Sequence, residues 1–80
     1  MARRRTHPGE MLLEEFMKPA GLTIGDVARL ARLSPAFVHR LTIEQASVDA
    51  KTADKLARVF QTTPHFWISL QHAFDESVRE

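Results

Sequence analysis

The stretch TIGDVARLARLSPAFVHRLT, residues 23–42, decides how the chain folds. Thr23 is an N-cap residue and Asp26 follows three positions later, a capping box with Asp in place of Glu. Ile24, Val27, Ala28 and Ala31 recur at i, i+3, i+4 and i+7, an inward helical stripe whose two small residues let another helix approach closely. Ser34 is a second cap, and Pro35 takes the first helical position, where a fixed φ and a missing N–H are tolerated. Val38 and Leu41 are the inward pair of that second helix. Only Arg32 and Leu33 separate the two, so the spacing predicts short helices meeting at a tight turn, a small residue in the first facing a β-branched one in the second.

Outward from this pair the signals stay helical. A first helix begins at Pro8 and is expected to stop before Pro19, with Gly21 completing the break and Leu12 and Phe16 on one face. Glu10, Glu14 and Glu15 lie in its first two turns, where the unsatisfied N–H groups favour carboxylates. Neighbouring helical positions point about 100° apart, so Glu14 and Glu15 read as a solvated face and not as an acid–base pair. Asp49 caps a fourth helix carrying Ala53, Leu56, Ala57 and Phe60 inward, with Lys55 and Arg58 toward its C-terminal end. A fifth starts at Thr63-Pro64 and carries Phe66, Trp67, Leu70 and Phe74. No long stretch alternates as a half-buried strand would. The expected fold is all-α, a compact five-helix bundle in a single domain over residues 1–80, with a basic arm at 1–6 (Arg3, Arg4, Arg5) and a last helix over 64–78.

Composition narrows the function. Eighty residues make one domain, and the absence of Cys excludes disulfides and thiolate zinc sites. Eleven Lys and Arg against ten Asp and Glu give a formal charge of +1, and 44% hydrophobic with 26% charged residues describes a globular chain. No apolar run approaches the roughly 20 residues that span a bilayer, and the arginines are followed by Thr6-His7-Pro8-Gly9-Glu10 instead of a signal core. The chain is expected in the cytoplasm, with no membrane partner. His7, His39, His65 and His72 lack metal-ligand spacing, Ser34, Ser47, Ser69 and Ser77 lack a nucleophile elbow, and no glycine-rich phosphate cradle is present. No metal, cofactor or catalysis is expected.

Two short helices about such a turn are also the arrangement of a helix-turn-helix DNA reader, here residues 23–42, although helix pairs of this size occur as plain packing units too. The chain further resembles the HigA/VapI-type antitoxins of the lambda-repressor-like XRE class, on His7-Pro8-Gly9-Glu10, Glu14-Glu15-Phe16, Gly21-Leu22-Thr23, Thr52-Ala53, Leu56-Ala57, Thr63-Pro64 and Phe66-Trp67 with Leu70-Gln71. The resemblance runs without gaps from His7 to Asp75. It implies an antitoxin that binds a RelE/HigB-like, ribosome-dependent mRNA-cleaving toxin and, as a homodimer, represses its own operon by binding double-stranded operator DNA.

On that reading the helix from Pro35 to Leu41 lies in the major groove with Ala36, Phe37, His39 and Arg40 outward. Arg40 holds guanine O6 and N7 or clamps a phosphate, and His39 donates to a phosphate or a base. Ala36 and Phe37 meet thymine methyls, or Phe37 belongs to the core. The helix starts at Thr23 and Ser34 offer N–H groups to phosphates, the two hydroxyls assisting. Arg32 replaces the usual Gly of the turn and completes the DNA-binding set. The loop Ile43-Glu44-Gln45-Ala46-Ser47 replaces the family's basic Asn-Gly turn, and Gly25 stands where the family has a long polar side chain. Between residues 23 and 42, Arg29, Arg32 and Arg40 face one acid, Asp26, so binding is expected to be weak, salt-sensitive and dependent on dimerisation. Arg3, Arg4 and Arg5 form a DNA arm or a solvated tail.

The last helix has apolar residues over more than half its circumference, which assigns one part to the core and another to a second subunit. Trp67, Leu70, Gln71 and Phe74 are the expected dimer interface, with core packing the alternative for Trp67 and Phe74. The other functional readings are a stand-alone XRE-type regulator and a toxin-binding module with little DNA binding.

Overall fold

The computed structural model describes residues 5–79, and among them there are five helices and no strand. Helix α1 is continuous over an α-helical turn Pro8–Met11, a π-helical segment Leu12–Met17 and a closing turn Lys18–Ala20. Next come α2 (Ile24–Ala31), α3 (Pro35–Thr42), α4 (Ala50–Phe60) and α5 (Pro64–Ser77). No helix among the described residues is long and apolar enough to cross a membrane. Each start is made by the side chain its sequence supplies. Asp49 Oδ1 accepts from the Thr52 N–H at 2.8 Å and Thr63 Oγ1 from the Phe66 N–H at 3.1 Å. Each of these caps is worth about 1 kcal/mol.

Helix α1 does not stop before Pro19 but runs through it to Ala20. From Leu12 the winding widens, so that the Lys18 N–H donates to the Leu13 carbonyl five residues back. A locally wider helix takes a proline without driving its ring into the carbonyl one regular turn earlier, which a uniform α-helix cannot do. Gly21, at φ 66°, then ends the helix. The Leu22 N–H reaches the Met17 carbonyl at 2.9 Å and the Gly21 N–H the Lys18 carbonyl at 3.2 Å, a Schellman closure that needs the left-handed region.

Three other closures use that region without glycine: Arg32 (φ 57°) ends α2, Glu44 (φ 62°) follows α3, and Gln61 (φ 56°) ends α4. Arg32, at the turn position, thus carries a Cβ in the left-handed region that favours glycine.

Helix α5 packs mainly on α4, α2 on α3 and α4, and α1 on both α3 and α5. Leu12, Val27, Val38, Leu41, Leu56 and Trp67 are wholly buried where these helices meet. Gly9 is required by this packing, because a Cβ there would overlap the Leu41 carbonyl of α3. Beside it the buried His7 imidazole caps α1, Nδ1 accepting from the Gly9 N–H at 2.9 Å, and lies edge-on to Phe74 with ring centroids 4.7 Å apart. The His-Pro-Gly-Glu motif is therefore a joint between α1, α3 and α5.

Two of the four expected dimer residues belong to the chain's own interior. Trp67 has no exposed surface, its ring clustering with Phe16, Phe60 and Phe66 while Nε1 donates to Thr62 Oγ1 at 2.7 Å. Gln71 is 7% exposed, its Oε1 accepting from the Val48 N–H at 2.8 Å and its Nε2 donating to Asp75 Oδ1 at 2.9 Å. The loop between α3 and α4 buries a backbone donor that needs an acceptor, and Gln71 supplies it. Leu70 and Phe74 are half-buried and keep surface to offer.

Candidate nucleic-acid interface

The α2–α3 pair is set by its caps. Thr23 Oγ1 accepts from the Asp26 N–H at 3.1 Å while Asp26 Oδ2 accepts from the Thr23 N–H at 2.9 Å, a reciprocal capping box. Ser34 Oγ accepts from the Phe37 N–H at 3.1 Å. Both hydroxyl oxygens are thus already engaged, and each keeps its own proton to donate outward. Pro35 has no N–H and that of Phe37 is used, so Ala36 carries the first-turn donor of α3 that no cap consumes. At the start of α2 the Asp26 carboxylate puts a negative charge beside the first-turn N–H groups. The Thr23 N–H holds the Asp26 carboxyl below its ordinary value of 3.8, so the group is charged at neutral pH. Arg29 lies 3.5 Å from it and is partly neutralised. The α2 start is consequently a poorer anion site than that of α3.

Along α3, Val38 and Leu41 are wholly buried, and Ala36, His39 and Arg40 are exposed. Phe37 is half-buried and packs against the core, so only part of its ring is available outward. The Thr42 hydroxyl donates to the His39 carbonyl at 2.7 Å, turned back onto its own helix. Arg40 has no carboxylate partner among the described residues. Ile43, next after α3, is half-exposed and extends the outward edge with an apolar side chain. Arg32 is exposed at the turn, its carbonyl accepting from Lys55 Nζ at 3.2 Å. Of the basic arm, Arg3 and Arg4 lie outside the described residues. Arg5 is exposed, its backbone N–H donating to Ser77 Oγ at 3.2 Å.

The structure also brings to this region two residues that the sequence reading placed only toward the end of α4, and a third that it passed over. Lys55 and Arg58, with Lys51, follow i, i+4, i+7 spacing on α4 and gather beside Arg32. The i, i+4, i+7 spacing of three cations was the available signal; that the stripe meets Arg32 depends on how α4 crosses α2.

A small-residue contact at Ala28, a tight left-handed turn and a second helix with one buried and one polar face define a helix-turn-helix protein. Comparison with known proteins agrees. The helix-turn-helix family profile matches residues 13–67. Virulence-associated protein I of Dichelobacter nodosus is 36% identical over 74 residues, covering 92% of this chain and 68% of that protein. The solved structure of antitoxin GraA superposes with a TM-score of 0.94 at 38% identity, covering 98% of this chain and 84% of that one, and GraA has also been solved in complex with its operator. Pseudomonas aeruginosa antitoxin HigA, solved with the higBA promoter, gives a TM-score of 0.91 at 32% identity, covering 95% of this chain and 83% of that one. The chain belongs to the XRE-type, lambda-repressor-like helix-turn-helix family, among the HigA/VapI antitoxins and regulators, a family of DNA-binding proteins and not of enzymes.

Proposed function

We propose that the chain is the antitoxin of a type II toxin–antitoxin pair, which binds operator DNA as a homodimer, represses its own operon and binds a RelE/HigB-like mRNA-cleaving toxin. The observation that carries the DNA half is the division of α3, with Val38 and Leu41 wholly buried and His39 and Arg40 exposed beside the unconsumed Ala36 N–H. Such a helix enters the major groove N-terminus first. Arg40 reads guanine or grips a phosphate, His39 and Ser34 donate to phosphates, and Ala36 and the exposed part of Phe37 meet thymine methyls. Thr23 contributes less, because its capping box carries the Asp26 charge. The operator complex of GraA and the structure of HigA with the higBA promoter support the reading.

A two-fold dimer places two such helices roughly 34–36 Å apart, one turn of DNA. Leu70 and Phe74 are the proposed contact residues. Leu70 lines an open apolar cleft of about 440 Å³ with Met11, Phe66 and Ala73, an area a second copy would cover.

Fluorescence anisotropy with the duplex upstream of the chain's own gene tests the repressor half. Preferential binding to that duplex over random DNA, lost in Arg40→Ala, is expected. Equal binding to both duplexes by the unmodified protein refutes operator recognition. Co-purification with the product of the adjacent reading frame tests the antitoxin half, which fails if the two proteins form no complex.

A further inference from the structure

A formal charge of +1 over the whole chain hides one strongly cationic place. Arg32 from the turn and Lys51, Lys55 and Arg58 from α4 line an open cleft of about 420 Å³, together with Leu30, Ala31 and Asp54. Four cations there face one carboxylate, and that carboxylate is engaged, Asp54 Oδ2 lying 3.3 Å from Arg58. Lys55 Nζ donates to the Arg32 carbonyl at 3.2 Å and so ties the α4 stripe to the turn. Among the described residues Arg32 and Lys51 have no carboxylate within ion-pair distance, the Asp49 carboxylate acting on Lys51 only from farther off. Like charges gathered on a small domain oppose one another and contribute no stability that this fold needs, so the cluster calls for an anionic partner.

We propose that this α2–α4 edge is a second DNA-contact surface, which grips backbone phosphates flanking the bases that α3 faces, independently of their sequence. The inference rests on the DNA-binding reading above. Two observations favour a phosphate backbone over an acidic protein. The patch begins at Arg32, two residues before the Ser34 cap of α3, so a duplex holding α3 in its groove brings a wall of phosphates close to it. The loop that follows α3, Ile43-Glu44-Gln45-Ala46-Ser47, carries a carboxylate and no cation, leaving that side of the reading helix without a backbone clamp. The cations of α4 provide the neutralisation that the loop does not.

The test uses the full chain and the double variant Lys51→Ala/Arg58→Ala, both side chains being exposed and outside the core. Anisotropy titrations with the upstream duplex and a random duplex of equal length, over a series of salt concentrations, are compared with the unmodified protein and Arg40→Ala. Circular dichroism melting confirms that the variants fold. The double variant is expected to bind both duplexes about tenfold more weakly and to keep its preference for the upstream duplex. Its salt slope is expected to be shallower by about 0.9 for each phosphate that is no longer neutralised. Arg32→Gly, which keeps the turn conformation while removing the charge, is expected to act in the same direction. Unchanged affinity and slope in these variants, with the unmodified protein binding DNA, overturn the second surface and leave the DNA-binding reading standing. The same follows if the variants lose only the toxin complex, which assigns the patch to a protein partner. Failure of the unmodified protein to bind either duplex overturns both.

Discussion

Replacing Glu44 by glycine should stabilise the protein even though it removes a side chain. Glu44 sits at φ 62°, where the Glu44 N–H reaches the Leu41 carbonyl at 3.1 Å and the Gln45 N–H reaches the Arg40 carbonyl at 2.7 Å, closing α3. An L-residue in that conformation costs about 1–2 kcal/mol from its Cβ, whereas glycine costs roughly 0.5–1 kcal/mol in additional unfolded-chain entropy. The exposed Glu44 side chain makes no hydrogen bond or ion pair among the described residues, so the net gain of Glu44→Gly is about 0.5–1 kcal/mol. In a domain of this size that raises the melting temperature by about 2–8 °C. Arg32 and Gln61 close two other helices with the same backbone sign, and the three substitutions together should add to about 1.5–3 kcal/mol. Thermal or urea unfolding followed by circular dichroism measures the gain. Glu44→Ala is the control, since it removes the same carboxylate and keeps the Cβ. Equal stability of the glycine and alanine variants would refute the argument from backbone strain.

Three further outcomes follow from the joint and the core. Burial lowers the His7 pKa from its ordinary value of 6.5, with the Glu44 and Asp75 carboxylates opposing in part, so folding favours the neutral ring. The stability this gives is complete above about pH 6.5 and is lost as pH falls through the lowered value; His7→Asn, which keeps an acceptor without titrating, should flatten the pH dependence of melting below about pH 6.5. Gly9→Ala should destabilise by about 1–3 kcal/mol in a urea titration, because its methyl meets the Leu41 carbonyl, and an unchanged midpoint would show that α1 yields freely. Gln71→Leu should cost about 1–3 kcal/mol by leaving the Val48 N–H without its acceptor, and hydrogen exchange should show that amide losing protection.

The helices were legible because their signals are local. Thr23, Ser34, Asp49 and Thr63 each satisfy an N–H three residues away, and Val27, Ala28, Val38 and Leu41 mark their buried faces by spacing alone. The stop before Pro19 failed because it treated the proline by itself, without the wider winding that accommodates it. Gln71 was misjudged for a different reason. Whether a polar side chain faces a partner or a buried backbone group depends on what the fold places opposite it, and Val48 is 23 residues from Gln71. In α5 the width of the apolar stripe correctly implied more than one neighbour, but it could not divide Trp67 and Gln71 from Leu70 and Phe74. That division is made by α1 and α4 arriving from elsewhere in the chain.

Sequence by itself determined the all-helical class, the position of the turn, the outward face of α3 and the absence of any thiol chemistry, since each rests on periodicity, capping or composition within a few residues. Only the tertiary structure decided that the His-Pro-Gly-Glu motif is a packing joint, that Trp67 and Gln71 face inward, and that Arg32 gathers Lys51, Lys55 and Arg58 into one cationic edge. Those three outcomes depend on the distances and angles at which helices cross, which are set by the whole core and leave no mark in any single stretch of the chain.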